Sequence, residues 1–194
     1  VRNVAGMHTG YLQIHRKGYQ QEPTLDNTFE FDSLADILNN KFDTAIPVLP
    51  RLEAYALISG DDVTKGAMVI GTDPEKENRL TGIGKRIVTG RLPGRGEILA
   101  AEGLAKDLGA SCGDTLVVLG QGYDGGIAAG KYVVSGMVHF ATPALNEGMA
   151  YLTLESGQTL LNADGRHDPG CQSGLVHRVG QGQCIHDRGQ HAHV

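Results

Sequence analysis

The sequence predicts an α+β fold, in which a mixed β-sheet arranged in one or two lobes carries a few short helices. Three observations lead there. Apolar and polar residues alternate over several short runs, the period of a strand with one buried face. Brief helical patterns with capping residues stand between those runs. The 28 glycines, the absence of tryptophan and an aromatic content of only 5% require many turns and a core of Leu, Ile, Val and Ala.

Taken in order, Tyr11–His15 alternates as a half-buried strand and Gly18 closes it. Asp32 or Ser33 can cap a helix over 33–40, whose Leu34, Ile37 and Leu38 share a face. Pro47 and Pro50 stop any helix, and Arg51–Ser59 reads as a strand with Leu52, Ala54, Ala56 and Ile58 on one side. Gly60-Asp61-Asp62 turns the chain into a return strand over Gly66–Gly71, which makes a hairpin. Asp73-Pro74-Glu75 has the cap, the first-turn proline and the acidic residue of a helix start, and a brief helix is expected to about Leu80. Glu97–Ala100 reads as a buried strand, followed by a helix over Glu102–Leu108 with Gly109 ending it. Thr115–Leu119 and Lys131–Phe140 form a second hairpin with a long glycine-rich tip. Met149–Leu154 is a last strand and Glu155–Asn162 a closing helix.

Composition excludes several functions. With 17 Lys and Arg against 22 Asp and Glu the formal charge is −5, and no basic stripe marks the chain for nucleic acid. No window nears the roughly 18 consecutive apolar residues of a membrane span, and Val1-Arg2-Asn3-Val4 has no signal-peptide pattern, so the chain as given is expected to be soluble. Of three cysteines only Cys112 falls in the patterned region, so no disulfide is expected within it.

The motifs that could carry chemistry fail on context. Gly82-Ile83-Gly84 and Gly120-Gln121-Gly122 lack the third glycine of a dinucleotide fingerprint, and Gly84-Lys85 is followed by Arg86 where a phosphate-binding loop needs Ser or Thr. Ser135-Gly136 is not a nucleophile elbow, and no pattern pairs His8, His15 or His139 with a nucleophile and a carboxylate. Cys171, His177, Cys184, His186, His191 and His193 are metal-ligand types, but their spacing is irregular. No catalytic residue, cofactor or metal is expected.

Several spaced segments together resemble the periplasmic core domain of MacB/LolC/FtsX-type ABC transporter permeases. Gly10–Tyr19 is similar to the strand that follows the first membrane helix in the LolC/LolE-like branch, and Val69-Ile70-Gly71-Thr72-Asp73-Pro74 to an apolar strand ending in Gly-x-Asp-Pro. Gly90-Arg91, Gly96-Glu97-Ile98-Leu99-Ala100, Gly103-Leu104-Ala105, Leu108-Gly109 and Gly113-Asp114-Thr115 follow the family's most recognisable order, and Tyr151–Leu154 its final strand. The resemblance covers about residues 8–163. It implies a MacB-like periplasmic core domain in a bacterial inner-membrane protein, held between a first membrane helix before Val1 and three later ones. It also implies a second permease subunit and a cytoplasmic ATPase subunit as partners, with ATP hydrolysis in that separate subunit driving export of lipoprotein, lipid or another substrate.

In the lipoprotein-exporting members a projecting loop meets a periplasmic carrier. The loop at that hairpin position here is Gln121, Gly122, Tyr123, Asp124, Gly125 and Gly126, the candidate partner-contact loop for a carrier or lipoprotein. The domain is expected over 1–163, and 164–194 as an irregular Gly/His-rich tail, disordered or non-native. The competing functions are a stand-alone periplasmic binding or adaptor domain and a small metal-dependent hydrolase.

Overall fold

The computed structural model describes residues 48–122 and 125–161, together with the backbone of four short segments, 12–14, 29–30, 170–171 and 173–176. The elements are β1 (Leu12–Ile14), β2 (Phe29–Glu30), β3 (Val48–Ser59), β4 (Thr64–Thr72), α1 (Pro74–Thr81), a 3₁₀ turn over Ile83–Arg86, β5 (Ile87–Gly90), β6 (Glu97–Ala101) and α2 (Glu102–Asp107). They continue with β7 (Thr115–Gln121), β8 (Ile127–Val138), α3 (Pro143–Gly148), β9 (Met149–Thr153), α4 (Leu154–Leu160), β10 (Gly170–Cys171) and β11 (Ser173–Val176).

The expected β3–β4 hairpin is present, antiparallel from Arg51↔Thr72 to Ser59↔Thr64, and Gly60 N–H donates to the Val63 carbonyl at its turn. Leu52, Ala56 and Ile58 are buried on the predicted side. Strand β3 begins earlier than its sequence suggested and carries Pro50 internally. That position faces Gly174 of β11, outside the reach of β4, so the missing N–H costs no β3–β4 ladder bond.

The strands close on themselves. β4 pairs parallel with β9, β9 antiparallel with β6, β6 parallel with β8 and β8 antiparallel with β7, and Val117–Leu119 of β7 returns to Leu57–Ser59 of β3. The closed path pairs each of its six strands on both sides over part of its length, which limits the open edge a sheet would otherwise offer. Ile58, Val69, Ile98, Leu116, Val118, Val134 and Leu152 belong to one core cluster. Helix α4 packs on β3 and β4: an atom in place of the Gly157 side-chain hydrogen would stand 3.1 Å from the Gly71 Cα, a close approach that two glycines allow without any shift. Tyr132, inside on β8, donates its hydroxyl to the Ser156 carbonyl at 3.2 Å and ties the same helix down.

Helix α1 forms as its capping residues direct. The Asp73 carboxylate accepts from Glu75 and Lys76 N–H at 3.1 and 3.0 Å, Pro74 opens the helix, and Gly82 at φ 67° ends it. The strand-then-helix reading of 97–108 and the final strand and helix also hold. Several short elements had no sequence signal: β2, the 3₁₀ turn, β5 and α3, and the tail strands β10 and β11.

The second hairpin differs from expectation in its tip. β7 runs on to Gln121 and β8 starts at Ile127, so Gly120, Gln121 and residues 127–130 belong to the ladder. Backbone pairing needs no side chain, and the glycines concealed it. Within the tail, Gly170–Cys171 pairs with β2 and Ser173–Val176 lies between β1 and β3, although 164–194 has no apolar periodicity. The expected helix over 33–40 lies outside the described residues.

Gly90 gives the first prediction. Its φ is 79°, and an added Cβ would stand 2.2 Å from the Ser135 carbonyl oxygen. Gly90→Ala therefore costs about 1–3 kcal/mol from backbone strain alone, read as a lowered urea midpoint. An unchanged midpoint would show that β5 does not cross β8 this closely.

Candidate functional site

Strand β8 changes partners once along its length. Residues 127–133 pair with β7, and beyond Val133 the strand pairs with β6 and β5. At the change, Ser135 is an extra residue: Ile98 pairs with Val134 and Leu99 with Gly136. The bulge turns the Ser135 hydroxyl onto two backbone oxygens, Arg91 and Ile98, each at 3.2 Å. This hydroxyl serves the backbone and does not meet a base.

The Gly-Arg and Gly-Glu motifs meet beside this bulge. Arg91 donates to both Glu97 carboxylate oxygens at 2.7 Å, and Gly94 N–H donates to the same carboxylate at 2.8 Å. The motif residues thus clamp the 91–96 connection and set the start of β6. The hydrogen bonds from Arg91, then from Gly94, hold the Glu97 carboxyl below the usual carboxylate range. Proton binding by Glu97 accordingly favours the unfolded chain. The stabilisation is complete above the unfolded carboxylate pKa of about 4.3 and is lost as pH falls through the lower folded value. Acid titration of Glu97→Gln should show a shallower loss of stability below that pH than the parent. Superimposable acid limbs would refute the clamp.

A buried ionic cluster lies between β3, α1 and β9. Arg51 is fully buried and Glu77 nearly so. The guanidinium donates from Nε to Glu77 Oε2 at 3.0 Å and from Nη2 to Oε1, and Glu53 stands 3.9 Å from Nη1. Burial by itself lowers the Arg51 pKa, yet the field and hydrogen bonding of Glu77 outweigh it and hold the guanidinium above its ordinary value. Tyr151 is buried beside them. Its phenol is pushed up by burial, with Arg51 opposing, and stays protonated. Its ring stacks on Phe140, with centroids 6.4 Å apart, and the Arg86 guanidinium lies over the Phe140 ring, 5.5 Å from its centroid. A small pocket beside this cluster is lined by Ile83, Leu92, Pro93 and Leu99 together with Thr72, Glu77 and Tyr151, and Glu77 is already committed to Arg51.

Arg51→Ala strands the Glu77 carboxylate in the core and should cost about 3–5 kcal/mol in denaturant unfolding. The paired change Arg51→Met with Glu77→Leu removes both charges and should recover most of that loss. Equal destabilisation by the two would mean that packing, not charge, is what the arginine supplies.

The candidate loop of the second hairpin is only partly a loop. Gln121 is an exposed strand residue, Gly122 is buried, and Gly125 (φ 77°) and Gly126 are exposed. Gly122 N–H donates to the Gly126 carbonyl at 2.8 Å and Gly125 N–H to the Gly122 carbonyl at 3.0 Å, which closes the tip on itself. Tyr123 and Asp124 lie outside the described residues.

The other candidates are dispersed. His139 Nδ1 contacts Glu102 Oε2 at 2.7 Å on the surface, and Cys112 is an exposed free thiol at a turn. Among the described residues no three His, Cys, Asp or Glu side chains gather as a metal site, and no helix is long and apolar enough to cross a membrane. The ligand types of the tail lie outside the described side chains. Sequence reasoning missed Arg51 and Glu77. The available signal was an arginine near the start of a strand whose following residues are mostly apolar.

No protein-family model matches the chain, and no curated protein matches it in sequence. Among solved structures it is similar to the periplasmic region of MacB from Actinobacillus actinomycetemcomitans, with a TM-score of 0.58 and 14% identity, over 91% of this chain and 78% of that one. At this identity the likeness is one of fold. The chain has the α+β architecture of a MacB-like periplasmic domain.

Proposed function

We propose that this chain is the extracytoplasmic domain of an ABC transporter permease, a mechanical and binding module of a bacterial inner-membrane protein. The observation that carries the reading is the fold shared with the periplasmic region of MacB over nine-tenths of the chain. The ordered Gly-Arg and Gly-Glu motifs support it, since they build the β5–β6 connection on which that fold turns. On this reading ATP is hydrolysed by a separate cytoplasmic subunit, a second permease subunit completes the transporter, and the domain passes the movement to an exported substrate. The finer assignment to the LolC/LolE-like branch, with lipoprotein or lipid as cargo, rests on the resemblance of Gly10–Tyr19 and of the hairpin position.

Within this reading the tip of the second hairpin, Gln121 to Gly126, touches a periplasmic carrier or the cargo. The tip joins two ladder strands and spends its own backbone hydrogen bonds internally, so its removal leaves the β7–β8 register intact. Replacing 122–126 by a two-residue Asn-Gly turn in the full permease should abolish export while leaving ATP hydrolysis and membrane insertion in place. Undiminished export by that variant would overturn the role of the loop.

A further inference from the structure

The outer face of β3, β7 and β8 is apolar where a solvated sheet face should be polar. The registers fix which residues share it. Leu57 faces Leu119, which faces Ala129, and one step along Ser59 faces Val117, which faces Lys131. On the other side Gln121 faces Ile127, and Tyr55 is two residues from Leu57 on the same side of β3. Tyr55 is 78% exposed, Leu57 51%, Leu119 36% and Ile127 85%, with Val133 continuing the row along β8. The opposite sides of the same strands are already committed: Ala56, Ile58, Leu116, Val118, Ala128 and Tyr132 fill the core. An antiparallel sheet with one face in the core ordinarily presents alternating polar residues outward. This one presents exposed Tyr55, Leu57, Leu119, Ile127 and Val133 among Ser59, Gln121, Ala129 and Lys131, more apolar area than a solvated face needs and the kind of patch that marks an interaction surface.

One charge stands among them. Lys131 is exposed, lies in the row with Val117, and has no ion-pair partner among the described residues. The acids nearby are Glu53, which stands toward Arg51 at the end of the face, and Asp61 and Asp62 in the β3–β4 turn. A single cation framed by apolar side chains is complementary to a carboxylate carried by an apolar segment.

We propose that the outer face of β3, β7 and β8 is a docking surface for a protein segment that presents apolar side chains together with a carboxylate to Lys131. Tyr55 and Ile127 are the anchors, because a large aromatic and a β-branched residue offer contact area at little cost in side-chain freedom. A second copy of the chain fits less well, since none of the described residues of the face is a carboxylate free to meet Lys131. An anionic lipid surface also fits less well, because it is held by several cations and the face has one. The inference stands on this face alone and does not depend on the permease reading.

The test uses the full chain and two fluorescent ten-residue peptides, one alternating Leu and Glu and the other alternating Leu and Lys, read by anisotropy. The acidic peptide should bind saturably and at least about fivefold more tightly than the basic one, and Lys131→Glu should reverse that preference. Tyr55→Ser with Ile127→Ser should weaken the acidic peptide about tenfold or more while leaving the thermal midpoint close to the parent, because both side chains are mostly in water. Absence of saturable binding, equal binding of the two peptides, or binding indifferent to these substitutions would each overturn the proposal. So would a dimer in sedimentation equilibrium that Ile127→Ser dissociates, which gives the face to a second copy. Binding to phosphatidylglycerol vesicles that Ile127→Ser abolishes would give the face to a membrane and overturn the proposal as well.

Discussion

The architecture depends on the double use of β8. One strand of twelve residues must pair with β7 through its first half and with β6 and β5 through its second, and a flat strand cannot follow both. The bulge at Ser135 supplies the bend, and its hydroxyl reaches the Arg91 and Ile98 carbonyls on either side of it. Gly90 and Gly136 then let β5 cross at a separation no side chain would permit. The closed path of strands, the position of the β5–β6 connection and the outward turn of the β7–β8 face all follow from that one change of direction.

The buried Arg51–Glu77 pair sits at a second change of partner. Up to Arg51 the strand β3 pairs with β11, and from Arg51 onward with β4. An arginine at that point can be buried only if its charge is met, and Glu77 arrives from α1, whose placement is fixed by the Asp73 cap and by Gly82. A desolvated pair of this kind adds little net stability compared with well-packed apolar residues, but it penalises any arrangement that separates its members. It therefore specifies where α1 docks on the sheet more than it strengthens the fold. Thr72, donating its buried hydroxyl to the Pro50 carbonyl, reinforces the same junction.

Much of this was legible in the residues. The β3–β4 hairpin, α1 with its cap, the 97–108 strand and helix, and the last strand and helix follow local rules that tertiary contacts did not override. The parallel pairings of β4 with β9 and β6 with β8 could not be read locally, because they join segments tens of residues apart. β5 escaped notice since four mostly exposed residues have no periodicity to show. For the hairpin the glycines suggested a loop where the ladder in fact continues to Gln121↔Ile127. The ion pair was hidden for a different reason: Arg51 and Glu77 are 26 residues apart, and each alone looks like an ordinary surface charge.

The two sides of β3 differ: Leu52, Ala56 and Ile58 fill the core, and the other side carries Arg51, Glu53, Tyr55, Leu57 and Ser59. Near Arg51 the strand is buried throughout, with α1 bringing Glu77 onto it, whereas at Tyr55 and Leu57 the second face is left to solvent beside Leu119 and Ile127. The pocket beside the ion pair is small, and the exposed part of the sheet spans three strands and carries Lys131, which has no ion-pair partner among the described residues. Tyr55, Leu57, Leu119 and Ile127 leave apolar area on one sheet face, and that area is the basis of the proposed contact with a protein segment.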